Sequence, residues 1–185
     1  MTKSVDDLLW IRRCLSGDQE AFGTLLDRYK NQIFTLILRI VPNPSDAEDL
    51  AQDAFLKAFR KLEFYDPAYP FITWLFKIAH NTALDFLKTR SPALISIEDD
   101  ESALQIEGAE IPAEEKIASA LRAEQVEKAL ASLPPLYREI LILRHHEGLD
   151  YDGMAQVLQI PEGTVKIRLF RARNLMREKL SGIEA

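Results

Sequence analysis

Apolar residues recur at steps of three and four along the first ninety positions, the spacing that lays one stripe along an α-helix. Val5, Leu8, Leu9, Ile11 and Leu15 form the first stripe, and Gly17 ends it. Asp18 stands as the cap of a second helix carrying Phe22, Leu25, Leu26, Tyr29, Ile33, Phe34, Ile37 and Ile40, closed by Pro42-Asn43-Pro44. Ser45 to Glu48 has the S-x-x-E spacing of a capping box, so a third helix is expected from near Asp46 to about Leu62. Its inward residues are Leu50, Ala54, Phe55, Ala58 and Phe59, while Asp49, Gln52, Asp53, Lys57 and Lys61 face solvent or a partner. Asp66-Pro67 and Pro70 enforce a loop. A fourth helix follows from about Phe71 to Lys88, burying Leu75, Ile78, Ala79 and Leu84, with Trp74 and Phe76 as further core aromatics.

The pattern breaks from Ser91 to about Ala113, where Pro92, the acidic run Glu98 to Glu101, Gly108 and Pro112 fall without an apolar period. Helical order returns from Glu114 to Leu133 and stops at Pro134-Pro135. Leu136 to His146 then reads as a helix ended by Gly148. Two short helices follow, Tyr151 to Leu158 and Glu162 to Leu180, separated by Gln159-Ile160-Pro161 alone. The expected fold class is all-α: two small helical domains, residues 1–90 and 114–185, joined by a flexible acidic linker over 91–113.

A chain of 185 residues with 47% hydrophobic and 28% charged residues has room for two such domains and is neither fibrous nor disordered. The lone Cys14 forms no internal disulfide, and no cysteine cluster exists to hold zinc or iron-sulfur. His145 and His146 are adjacent, so on a helix they point about 100° apart and make a poor metal pair. No cofactor is expected. No uninterrupted apolar run of about 18 residues occurs, which points to a cytoplasmic protein without membrane insertion.

The net charge of -6 speaks against a polyanion partner, yet the average conceals its distribution. The acidic surplus lies between Ser91 and Pro135, with 10 acidic and 3 basic residues. Between Pro161 and Leu180, Lys166, Arg168, Arg171, Arg173, Arg177 and Lys179 face only Glu162 and Glu178. Two helices joined by a three-residue turn, the second of them basic, form the pattern of a helix-turn-helix whose second helix enters the DNA major groove. A helical wheel places Val165, Leu169, Ala172, Met176 and Leu180 on the core side. Gly163, Thr164, Ile167, Phe170, Arg171 and Asn174 lie opposite, with Lys166, Arg168 and Arg173 on the shoulders. A mixed apolar and basic outward face suits a groove reader, because Arg can fork to guanine and an apolar group can touch a thymine methyl.

The strings Leu133-Pro134-Pro135-Leu136-Tyr137-Arg138-Glu139, Leu143-Arg144, Glu147-Gly148-Leu149, Gly163-Thr164-Val165-Lys166 and Arg171-Ala172-Arg173 resemble region four of bacterial extracytoplasmic function sigma factors. Asp46-Ala47-Glu48-Asp49-Leu50-Ala51-Gln52-Asp53-Ala54-Phe55, with Thr73-Trp74-Leu75-Phe76-Lys77-Ile78-Ala79-His80-Asn81 and Asp85, resembles region two. The resemblance implies a non-enzymatic protein that binds core RNA polymerase, directs it to promoter DNA and helps separate the strands. It implies polymerase contacts at Asp49, Gln52, Asp53 and Phe55. It further implies capture of the downstream promoter element by Phe64, Tyr65 and Asn81, with Lys77, Lys88 and Arg90 on phosphates. For the upstream element it implies Lys166, Ile167, Phe170 and Arg171, next to Thr164, Arg168 and Arg173 on the same helix. An anti-sigma factor is the further partner implied, and no small-molecule substrate is.

The chain departs from the family pattern at Asp152-Gly153, where paired glutamates are common, at Gln159, where Gly is common in the turn, and at Ile167, where a small polar residue is common. Gly153 inside a helix is expected to cost about 1 kcal/mol relative to Ala. A stand-alone helix-turn-helix regulator is the competing reading and accounts for the last third of the chain alone. A hydrolase or transferase is a distant third, since no P-loop, G-x-S-x-G or metal-ligand spacing occurs.

Overall fold

The computed structural model describes residues 5–90 and 120–181, so the expected linker 91–113 and the expected helical positions 114–119 lie outside the described residues. Among the described residues there are eight α-helices and no strand: α1 (Val5–Leu15), α2 (Gln19–Ile40), α3 (Pro44–Arg60), a 3-10 turn (Leu62–Phe64), α4 (Phe71–Arg90), α5 (Ala120–Ser132), α6 (Pro135–His145), α7 (Tyr151–Leu158) and α8 (Glu162–Ser181). Gly17, at φ 98°, turns the chain out of α1 at little steric cost. Asp18 then caps α2, accepting from the N–H groups of Glu20 and Ala21. Its carboxyl is held below the usual range by the hydrogen bond from Arg13.

The start of α3 differs from expectation. Asn43, not Ser45, is the cap, and it accepts from the N–H groups of Ser45 and Asp46. The reason is Pro44. A proline disfavours α geometry in the residue before it and suits the first helical position, which fixes Asn43 in the extended conformation that a cap requires.

In the first domain Leu25, Ile33, Leu36 and Ile37 of α2 meet Leu75, Phe76 and Ala79 of α4, all at 0–1% exposure. Small residues on α3, namely Ala47, Ala51, Ala54 and Ala58, let it approach both. Each fully buried Leu or Ile contributes about 1.5–3 kcal/mol. Phe59, expected inward, is 43% exposed and presents its ring edge-on to Phe22 at 4.8 Å. It lies one residue past Ala58, which takes the inward position, and so points about 100° away from it round the helix. Buried Asp7 ties α1 to α2 by accepting from the Tyr29 hydroxyl at 2.6 Å and pairing with Arg28 at 3.1 Å.

The second domain packs α8 on α5, α6 and α7 around Ile140, Ile142, Leu143, Leu149, Met154, Val157, Val165 and Leu169. Arg138 staples the end of α5, donating to the backbone carbonyls of Leu130, Ala131 and Leu133 at and just past its C-terminus. Gly148, at φ 63°, terminates the stretch after α6. The two domains touch, with α7 against α4 and α6 against α2.

Candidate nucleic-acid interface

Three residues, Gln159 to Pro161, separate α7 from α8. Asp150 caps α7 by accepting from the N–H of Gly153 at 2.8 Å. A Cβ at residue 153 would stand 3.1 Å from that same carboxylate oxygen, so the glycine expected to weaken the helix makes room for its cap. At the other end Gln159 takes a left-handed conformation, φ 57° and ψ 39°, which turns the chain sharply toward α8.

On α8, Val165, Leu169 and Ala172 are buried at 0–1%, as the wheel requires, and Met176 packs against the core. Phe170 is 42% exposed, unusual for a large aromatic, and Lys166 is exposed beside it on the helix surface. Thr164, Ile167, Arg168, Arg171 and Arg173 are half-buried along the same helix. Lys166 pairs with Glu162 at 3.7 Å and stands 5.4 Å from the centre of the Tyr151 ring. Arg144 lies 5.5 Å from the same ring and donates to the carbonyl of Leu149 at 2.9 Å. Tyr151 thereby gathers two cations at the start of the helix-turn-helix. Arg144 was not singled out from sequence, because its link to Tyr151 is made only once α6 and α7 fold together.

The residues expected at the downstream element are spread along α4 and the loop before it. Phe64 is 73% exposed. Tyr65 does not offer a free ring. It packs at 5.4 Å against Phe71 and 5.6 Å against Trp74, and its hydroxyl donates to the carbonyl of Tyr69. Burial, with Asp7 and Asp66 nearby, pushes that hydroxyl up to about 12. Tyr65 holds the loop, and Phe64 is its exposed aromatic. Lys77 and Phe64 border one hollow of about 250 Å³ with Trp74, Tyr69 and Gln156. Asn81 is half-buried one turn further on. Lys88 lies 3.7 Å from Asp85, while Arg90 bonds to Asp46 at 2.8 Å and stacks over Phe86. With 1.5 Å of rise per residue, Lys77 and Arg90 are about 20 Å apart, so they can meet only different phosphates.

A third feature lies between α2 and α3. An apolar groove of about 610 Å³ is lined by Phe22, Leu26, Phe34, Phe55 and Leu56, with Lys30, Glu48 and Gln52 among its polar members. Phe55, expected as a contact, is only 6% exposed and lies in the groove lining, whereas Leu56 is 55% exposed. Asp49 and Gln52 are exposed, and Asp53 pairs with Lys57 at 2.8 Å.

Residues 25–92 match the family model Sigma-70 region 2, and residues 123–176 match Sigma-70, region 4. The ECF RNA polymerase sigma factor SigW of Bacillus subtilis is 31% identical over 92% of this chain and 94% of its own length. The ECF RNA polymerase sigma-E factor of Escherichia coli is 34% identical over 97% of both. This chain belongs to the ECF sigma factors. Among solved structures, CnrH in complex with the cytosolic domain of CnrY matches with a TM-score of 0.69 and 25% identity, over 96% of this chain and 98% of that one. RpoE in complex with the anti-sigma factor NepR, from Bartonella quintana, matches with a TM-score of 0.65 and 27% identity, over 86% and 96%. In this ECF sigma factor α7 and all but the last five residues of α8 lie inside the region 4 match, and α3 with α4 inside the region 2 match. Among the described residues no group of His, Cys, Asp or Glu is arranged to hold a metal, and no helix is long and apolar enough to cross a membrane.

Proposed function

We propose that this sigma factor, acting in the cytoplasm and without catalysis of its own, binds core RNA polymerase and places it on a promoter through two separate DNA contacts. Residues 1–90 form the polymerase-binding and downstream-element domain, 91–113 the connecting acidic segment, and 114–185 the upstream-element domain. The observation that carries the reading is the outward face of α8, where exposed Phe170 and Lys166 stand with Thr164, Ile167, Arg168, Arg171 and Arg173 on a helix whose other side is fully committed to the core. Arg171 reads a base edge, Phe170 and Ile167 supply apolar contact, and the flanking cations hold phosphates. Ile167 donates no hydrogen bond, so the upstream sequence read at its position is set by apolar contact.

On α4 and its preceding loop, Phe64 stacks an unpaired base, Asn81 hydrogen-bonds it, and Lys77, Lys88 and Arg90 follow the backbone. The polymerase surface is the α2–α3 groove, with Leu56 above its lining and Asp49, Gln52 and Asp53 beside it. An anti-sigma factor is the natural inhibitor, a reading supported by the solved complex of RpoE with the anti-sigma factor NepR. The test is run-off transcription with purified core polymerase on the fragment upstream of this protein's own gene. Transcripts that require the protein support the reading. In the same assay Arg171→Ala removes them and leaves polymerase binding intact. Binding to DNA without any binding to polymerase would move the function to a stand-alone regulator.

A further inference from the structure

The first turn of α1 holds a carboxylate that none of the sites above uses. Asp7 is only 4% exposed, and a carboxylate stays buried only where partners hold it. Both of its partners are on α2: the Tyr29 hydroxyl, which donates at 2.6 Å, and Arg28 at 3.1 Å. α1 itself precedes the residues that match region 2.

The contacts of Asp7 lead to the loop before α4. Tyr29 carries its ring to 5.8 Å from that of Phe71, which stands 5.4 Å from Tyr65 and 5.6 Å from Trp74. A continuous run of aromatic rings therefore joins the Asp7 carboxylate to the residue next to Phe64. Two further observations place Asp7 beneath that loop. Burial first, and the Asp7 charge next, push the Tyr65 hydroxyl up to about 12. α1 also packs on the 3-10 turn Leu62–Phe64, whose Leu62 is buried and whose Phe64 is 73% exposed. The loop is closed by the Tyr65 hydroxyl, which donates to the Tyr69 carbonyl at 2.6 Å, and by Asp66 Oδ1, which accepts from the Ala68 N–H at 2.8 Å.

We propose that Asp7 is a positioning residue for base capture: it fixes α1 and the Tyr29 ring, and through them the aromatic cluster that presents Phe64 in one orientation. This rests on the assignment of Phe64 to an unpaired base. An aromatic on a loose loop must be ordered each time a base stacks on it, and ordering already present in the free protein removes that cost from binding. An apolar side chain at position 7 would pack without desolvating a charge, but it would not hold the Tyr29 hydroxyl at one point.

The test uses the full chain in a Trp10→Phe background, which leaves Trp74 as the sole tryptophan. Asp7→Ala and Tyr29→Phe should raise acrylamide quenching of Trp74 with helicity unchanged. Each should also weaken binding of a fluorescein-labelled random-sequence single-stranded DNA 20-mer by about two- to tenfold. Asp7→Asn, which keeps an acceptor for Tyr29, should stay near the parent in both readouts. Phe64→Ala should weaken the same binding, and adding Asp7→Ala or Tyr29→Phe to it should weaken binding no further. A variant that acts only by unfolding the domain lowers binding equally with and without Phe64. Equal losses in the two backgrounds, or unchanged quenching in both variants, would overturn the positioning role. Should Asp7→Ala lose helicity, Tyr29→Phe, which keeps the ring, decides. Unchanged binding in Phe64→Ala would instead overturn the assignment of Phe64 and the base-capture role of Asp7 with it, whatever the quenching shows.

Discussion

Gln159 carries the backbone between α7 and α8 at φ 57°, ψ 39°, the only non-glycine residue with positive φ among those described. A residue with a Cβ pays about 1–2 kcal/mol there, because Cβ crowds the following carbonyl oxygen. Glycine escapes that cost but gives back about 0.4–1 kcal/mol through the greater freedom of its unfolded chain. Gln159→Gly and Gln159→Ala both lose the hydrogen bond that Asn81 Nδ2 donates to Gln159 Oε1 at 3.4 Å, so the difference between them isolates the backbone. The glycine variant should be more stable by about 0.5–1 kcal/mol. Urea unfolding followed by circular dichroism reads this out. With a slope near 1 kcal/mol/M for so small a domain, the second-domain midpoints should lie about 0.5–1 M apart. Trp10 and Trp74 both belong to the first domain, so tryptophan fluorescence should give the same midpoint in both variants. Equal midpoints by circular dichroism would mean that residue 159 is not held left-handed, and the account of the turn would fall.

Asn43→Ala should destabilise the first domain by about 1 kcal/mol, while Ser45→Ala and Glu48→Ala change little; thermal melts of the three variants decide which residue caps α3. Burial raises the carboxyl of Glu147 above its ordinary value, so the folded state holds that proton more tightly than the unfolded chain does. Its favourable contribution is therefore complete below the unfolded value near 4.5 and is lost as pH rises through the raised folded value. Glu147→Gln should melt higher than the parent at pH 7.5, with the gap closing toward pH 4. Leu56→Glu should weaken binding to core polymerase at least tenfold while shifting stability by no more than about 0.5 kcal/mol, since the side chain is exposed.

Most of the helical framework was legible because periodicity and punctuation agree. The bounds of α7 and the start of α8 were read from Tyr151, Leu158 and the Gln159–Pro161 turn, and the wheel of α8 separated buried Val165, Leu169 and Ala172 from exposed Phe170. Local competition explains what the pattern did not show. Pro44 overrode the Ser45–Glu48 box by fixing the residue before it. Tyr65, expected near the captured base, is enclosed with Phe71 and Trp74 across the Pro67–Pro70 turn, a contact that no periodicity announces. Phe55 is set into the lining of a groove that exists only between two helices, and Leu56, one residue on, carries the exposed apolar surface. Nothing in the sequence marked the meeting of His80 on α4 with Glu139 on α6, both buried in the fold and 58 intervening residues apart.

The contact of α7 with α4 joins two parts of one chain, and this fixes how it answers to changes in cellular amount. Forming or losing it is a first-order event, so its balance is set by the chain itself and not by how much of the protein is present. Making more of the protein multiplies packed copies in proportion, and dilution does not release them. A competitor for either face must displace a neighbour that never diffuses away.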